Sequence, residues 1–201
     1  IDHSGLLPKL VKEGFTGPIY CSPATADLAE ILLKDSAKIQ EEDTKFINKR
    51  QSSDQEPQKP LYTMKDAEIA LTRFVDRKLN HYFEVIPGIE CMYTEVGHIL
   101  GSCAVNLKIT DKGKIKNICF TGDIGRYSHP FLKNPEKFPQ ADIIICESTY
   151  GDSLHDDAAL NENVFYEIIQ QTCVERKGKL IIPAFSVGRT QEIVYALNKL
   201  D

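Results

Sequence analysis

Between residues 82 and 146 this chain spells five short β-rich runs, 82–87, 89–96, 103–110, 115–121 and 141–146, with Gly and Pro in the gaps between them. Runs of this length, rich in Ile, Val, Thr, Phe and Tyr and bounded by turn residues, read as strands. Four or five strands therefore follow one another without a helix between them. Any fold for the chain must be built around that succession.

The flanks read differently. Residues 18–21 form a short apolar strand, and Ser22-Pro23 then offers a helix cap followed by Pro at the first helical position. Leu28, Ile31, Leu32 and Ile39 are the expected apolar stripe of that helix. Residues 48–60 are polar, contain two prolines and no apolar side chain, and are expected to be a surface loop that carries no function. A second helix is expected from Met64 to about Phe74. Downstream, 161–174 is amphipathic, with Phe165, Ile168, Ile169, Thr172 and Cys173 on one face. Residues 179–183 read as a strand and 187–200 as a helix apolar at Ile193, Val194, Leu197 and Leu200. That strand–helix unit looks like the opening of an α/β layer.

Composition narrows the class. At 201 residues, 42% hydrophobic and 26% charged, the chain has the make-up of a soluble globular protein with room for one sizeable domain, or a domain and the start of a second. No apolar run approaches the ~18–20 residues that a membrane-spanning helix needs. The balance of 24 basic and 29 acidic residues gives −5, which argues against binding nucleic acid through a general basic surface. It leaves room for an enzyme that neutralises phosphates with bound metal. The six cysteines contain no Cys-x-x-Cys pair and are expected to be small buried hydrophobes in a reducing, cytoplasmic compartment.

The chemistry lies at the strand ends. Residues 118–121 run into Gly122-Asp123-Ile124-Gly125, which presents a carboxylate between two glycines. Residues 143–146 run into Glu147-Ser148-Thr149-Tyr150-Gly151, a second carboxylate placed the same way. The strand 89–96 runs into Gly97-His98-Ile99-Leu100-Gly101-Ser102, and the amino end offers Asp2-His3-Ser4-Gly5. Each piece has a plain structural reading: a turn aspartate bonding its own backbone, a histidine in a Gly-rich turn, a carboxylate capping the next segment. Two carboxylates and two histidines delivered to one sheet edge make a metal site the sharper reading.

Taken in order, Asp2-His3-Ser4-Gly5-Leu6-Leu7-Pro8, Gly97–Ser102, Thr121–Arg126 and Glu147–Asp152 closely resemble the metallo-β-lactamase-fold nucleases of the β-CASP group, RNA-processing ribonucleases like the cleavage and polyadenylation nuclease. Pro183-Ala184-Phe185-Ser186-Val187-Gly188-Arg189-Thr190-Gln191-Glu192 resembles the stretch that opens the β-CASP domain. The likeness runs nearly the whole chain, with 48–60 as an insertion. It implies an α/β (α+β) fold: an αββα sandwich over 1–175, lacking its amino-terminal part, followed at 176–201 by the beginning of an α/β β-CASP domain.

The resemblance also implies the site. It would hold two Zn²⁺ ions, with Asp2, His3, His98 and Asp123 as metal ligands, Asp123 bridging both ions, and Asp2 guiding the attacking water. Glu147 matches the group's acidic motif, which steadies a histidine supplied from farther along the chain. The family's first metal motif is His-x-His-x-Asp-His, so the chain is expected to begin inside it and to end one strand–helix unit into the second domain. On that expectation the 201 residues alone bind zinc weakly and hydrolyse RNA poorly.

These residue types suit two-metal hydrolysis, in which a water of lowered pKa attacks phosphorus in line and the departing ribose oxygen takes a proton. The expected function is zinc-dependent cleavage of RNA phosphodiester bonds, on single-stranded RNA, by a homodimer or within an RNA-processing complex. Arg189, in the first turn of the last helix, is a candidate phosphate holder and equally an exposed helical arginine. His155 is a candidate substrate contact, though it reads more simply as a solvated loop histidine. His81 and His129 read as surface residues, and Tyr150, which could stack on a base, reads more simply as a packed core tyrosine. Two other readings stay open: a non-catalytic scaffold paralogue, and an ester or thioester hydrolase of the same fold, against which the 183–192 segment argues.

Overall fold

A computed structural model describes residues 3–52, 55–127, 129, 131–154 and 158–199. Its elements mix helix and strand: α1 (Leu7–Lys12), β1 (Ile19–Cys21), α2 (Pro23–Arg50), α3 (Met64–Leu71), β2 (Phe74–Asp76), β3 (Phe83–Ile86), β4 (Ile89–Glu95), β5 (Cys103–Asp111), β6 (Lys114–Phe120), β7 (Ile143–Ile145), α4 (Ala158–Ile169) and α5 (Arg189–Asn198). They fall into two compact units, Ile1–Cys146 and Glu147–Asp201.

The five β-rich runs become one sheet in the order β3-β4-β5-β6-β7. β3 to β6 are antiparallel, as short connections allow, whereas β7 adds parallel to β6 with Phe120 opposite Ile145. Lys112 and Gly113, at φ +47° and +77°, close the β5–β6 hairpin in the positive-φ geometry that suits the twist of paired strands. The parallel pairing brings the carboxyl ends of β6 and β7 to the same edge, so the segments after both strands start from one place. Val96, Ala104 and Cys119 are buried beneath that region, with Phe138 and Ala141 packed on them.

A second core lies under α2 and α3. Ser22 caps α2 by accepting from the Thr25 amide, and Pro23 sits in the first turn, as expected. The buried face is not the expected stripe. Ala29, Leu33 and Ala37 are buried against Tyr62 and Ala67, while Ile31 and Ile39 point to solvent. Small Ala side chains let α2 approach closely enough for Tyr62 to be wholly enclosed, its hydroxyl 2.8 Å from Ser36 Oγ.

Three other boundaries differ from expectation. α2 runs through Asn48, Lys49 and Arg50, and Asn48 then clasps the polar loop with two hydrogen bonds to the Gln58 backbone, at 2.9 and 2.8 Å. α3 stops at Leu71, because Phe74 is drawn into a parallel pair with Ile19. Residues 179–183 form no strand. A β-prone run becomes a strand only by pairing, and no described segment pairs with it.

In the second unit α4 continues into a π-helical stretch, Gln170–Glu175, and α5 follows Gly188. Its described side chains are half-buried or exposed. Cys21, Cys91 and Cys119 are buried as expected, whereas Cys103 is half-buried and Cys146 and Cys173 are exposed. No helix among the described residues is long and apolar enough to cross a membrane.

Candidate functional site

Two loops at the carboxyl ends of β4 and β6 meet. The Gly125 amide donates to the Val96 carbonyl at 2.8 Å, which ties the Asp123 turn to the start of the His98 turn. Across this junction His98 Nε2 lies 3.6 Å from Asp123 Oδ2. That is too long for a hydrogen bond. It is close to the separation of about 3.4 Å between two donors bound to one tetrahedral zinc at the usual bond lengths.

The His98 turn is held by its own polar groups. Glu95 Oε1 accepts from the Gly97 amide at 3.0 Å, and Ser102 Oγ accepts from the amides of His98 and Ile99 at 3.0 and 3.2 Å. The Asp123 turn begins at Thr121, which is buried and whose amide donates to the Ile145 carbonyl of β7 at 3.0 Å. Glu95 and Ser102 were not legible as site residues. Ser102 stands inside the Gly97–Ser102 motif, and a hydroxyl four residues after a candidate ligand was the available signal.

His3, His98 and Asp123 line one cavity of about 390 Å³. Tyr20, Cys21, Tyr93 and Cys103 form another part of its lining. Burial pushes the Cys103 thiol up to about 12, with Cys91 and Glu95 adding to the effect. Burial first, then the charge of Asp76, pushes Cys21 up to about 11. The Tyr93 phenol is likewise raised, chiefly by burial. Cys103, Cys21 and Tyr93 are thus neutral near pH 7. A low-polarity wall strengthens any charge interaction made beside it.

The donor set fits zinc in kind, offering imidazole nitrogen and carboxylate oxygen. Among the described residues no group of three His, Cys, Asp or Glu side chains is close enough to hold a metal by itself. The formed part is the His98–Asp123 pair, with His3 on the same cavity. Asp2 and His155 lie outside the described residues.

Glu147 follows β7 by two residues, belongs to the second unit and is half-buried. Arg189, also in that unit, is exposed, and its Nη1 pairs with Glu192 Oε2 at 2.6 Å. Tyr150 is 55% exposed, so it is not the core tyrosine expected. His81 Nδ1 sits 2.8 Å from the Leu79 carbonyl, and His129 Nδ1 accepts from the Leu132 amide at 3.2 Å, so both serve their local turns.

No protein-family model matches the chain. It is similar over nearly its whole length to several characterised proteins. It is 32% identical over 197 residues to ribonuclease TTHA0252 of Thermus thermophilus, covering 98% of this chain and 40% of that protein. It is 35% identical over 203 residues to transcription termination factor FttA of Pyrococcus abyssi, covering 98% of this chain and 29% of that protein. The factor of the same name from Methanococcus maripaludis is 32% identical, again with 29% of its length covered. The chain thus spans between 29% and 40% of the length of these relatives.

Proposed function

We propose that this chain forms part of a zinc-dependent RNA phosphodiesterase of metallo-β-lactamase fold and β-CASP type, acting on single-stranded RNA in the cytoplasm. The observation that carries the reading is the 3.6 Å approach of His98 Nε2 to Asp123 Oδ2, made by two loops from separate strand ends. Similarity to a protein named ribonuclease supports RNA as the substrate.

Two zinc ions, when bound, supply Lewis acidity toward water and toward a phosphoryl oxygen. His98, Asp123, His3 and Asp2 are the proposed holders. Asp123 contributes the negative charge that offsets cationic charge at the strand edge, and the neutral wall of Tyr93, Cys21 and Cys103 keeps competing charges away. Glu147, by the resemblance of its acidic motif, would orient an imidazole for proton delivery to the departing ribose oxygen.

The test uses the full-length protein and end-labelled single-stranded RNA. Cleavage should stop with a chelator, return with Zn²⁺, and vanish in His98→Ala and Asp123→Asn. Cleavage that survives chelation, or that proceeds at the parental rate in Asp123→Asn, refutes the metal-centred reading. A protein that binds RNA and zinc without cleaving the RNA is instead the scaffold paralogue. Thioester hydrolysis without RNA cleavage would mark the small-molecule hydrolase.

A further inference from the structure

We infer that Ser22 and Thr25, at the start of α2, are positioning residues for His98. This deepens the proposed function and rests on His98 as a metal ligand.

The two hydroxyls converge on one backbone atom far away in sequence. Ser22 Oγ donates to the Gly101 carbonyl at 2.7 Å and Thr25 Oγ1 donates to the same oxygen at 3.0 Å. Both lone pairs of that carbonyl are then used. The hydroxyl oxygens themselves lie 2.9 Å apart, and Ser22 Oγ also accepts from the Thr25 amide at 3.3 Å. Ser22 is 3% exposed, and Thr25 and Gly101 are half-buried at the wall of the same cavity.

Gly101 is built for this approach. It adopts φ +85°, and a Cβ there would meet Thr25 N and Oγ1 at 2.7 Å. Only glycine tolerates both demands. One residue on, Ser102 Oγ accepts the amides of His98 and Ile99. The turn from His98 to Ser102 is therefore one hydrogen-bonded body, fastened through Gly101 to the first turn of α2.

The anchor is firm. α2 is 28 residues long and its Ala29, Leu33 and Ala37 are in the core. The His98 side chain is 44% exposed, so packing around the ring constrains it only partly. Its position relative to Asp123 depends on its backbone, and the Ser22–Thr25–Gly101 clamp sets that backbone from one side while Gly125 sets it from the other. Partners that orient a ligand typically change metal affinity ~10–100-fold when lost.

Thr25→Val is the sharpest variant, since it deletes one donor while leaving the Ser22 cap of α2 in place. Ser22→Ala deletes the other, and Thr25→Ser and Ser22→Thr restore each donor. Zinc affinity of the full-length protein is measured by chelator competition, and amide exchange at 98–102 is followed on the metal-free form. We expect Thr25→Val to weaken zinc binding ~10–100-fold and speed exchange in the turn, with Thr25→Ser recovering both. His98→Ala is the control. If it loses affinity while Thr25→Val and Ser22→Ala keep parental affinity and exchange, the clamp falls and the ligand reading stands. If His98→Ala keeps parental affinity, both fall.

Discussion

Gly125 packs so closely on Gly97 that a methyl group at position 125 would collide with the Gly97 carbonyl. The missing side chain at Gly125 thus lets the turns bearing Asp123 and His98 interlock, while Gly97, at φ +61°, faces the Lys133 carbonyl. Gly125→Ala is expected to cost about 1–3 kcal/mol through overpacking and to weaken zinc binding. Gly5→Ala, which meets nothing within 4 Å, is expected to stay within ~0.5 kcal/mol of the parent. Urea unfolding with chelator competition checks both.

The buried face of α2 can be tested by a pair of truncations. Leu33 is 1% exposed among Ala29, Ala37, Tyr62 and Ala67, so Leu33→Ala should cost about 2–5 kcal/mol. Ile31 is 66% exposed, and Ile31→Ala should change stability by less than ~0.5 kcal/mol. A larger cost at Ile31 than at Leu33 would show that α2 packs on its Ile31 face.

Cys21 and Cys91 are pushed up to about 11 and Cys103 to about 12, in each case chiefly by burial. The thiolate is the nucleophile, so these three should resist iodoacetamide at pH ~7.5 in the folded protein and react once it is unfolded. Mass spectrometry of the labelled peptides reads the outcome. Labelling of Cys91, 3% exposed, in the native state at the rate of an unfolded thiol would contradict the burial.

Asp66 closes a capping box with Thr63: Oδ2 accepts from the Thr63 amide at 2.8 Å and lies 3.3 Å from Lys12 Nζ. Its carboxyl is held below the usual range, first by the Thr63 amide, then by the Thr63 hydroxyl and Lys12. A depressed folded-state pKa adds stability above the unfolded value of ~3.9, and that stability is lost as pH falls through the folded value. The difference in melting temperature between the parent and Asp66→Asn should be constant above about pH 5 and shrink on acidification below the unfolded pKa. A difference that grows on acidification would contradict the assignment.

The succession of strands was written in the sequence, because period-two apolar runs broken by Gly and Pro carry their own signal, and all five runs became β3 to β7. So were the Ser22 cap and the candidate ligands His98 and Asp123, since residue type and a glycine-flanked place after a strand are local properties. The packing face of α2 was not. The larger Leu28, Ile31, Leu32 and Ile39 outweigh Ala29 and Ala37 in any hydrophobic pattern, yet the close approach to Tyr62 selects the small side chains. Nor could residues 179–183 become a strand by propensity alone, since a ladder needs a neighbour. The Ser22–Thr25 hold on Gly101 spans 79 and 76 residues, and the Gly125–Gly97 junction joins the ends of two strands separated in the sheet by β5. Local sequence supplies the chemical groups; their distances are set by which strands pair and how closely a helix end can approach a loop, and those are decided only when the chain is folded.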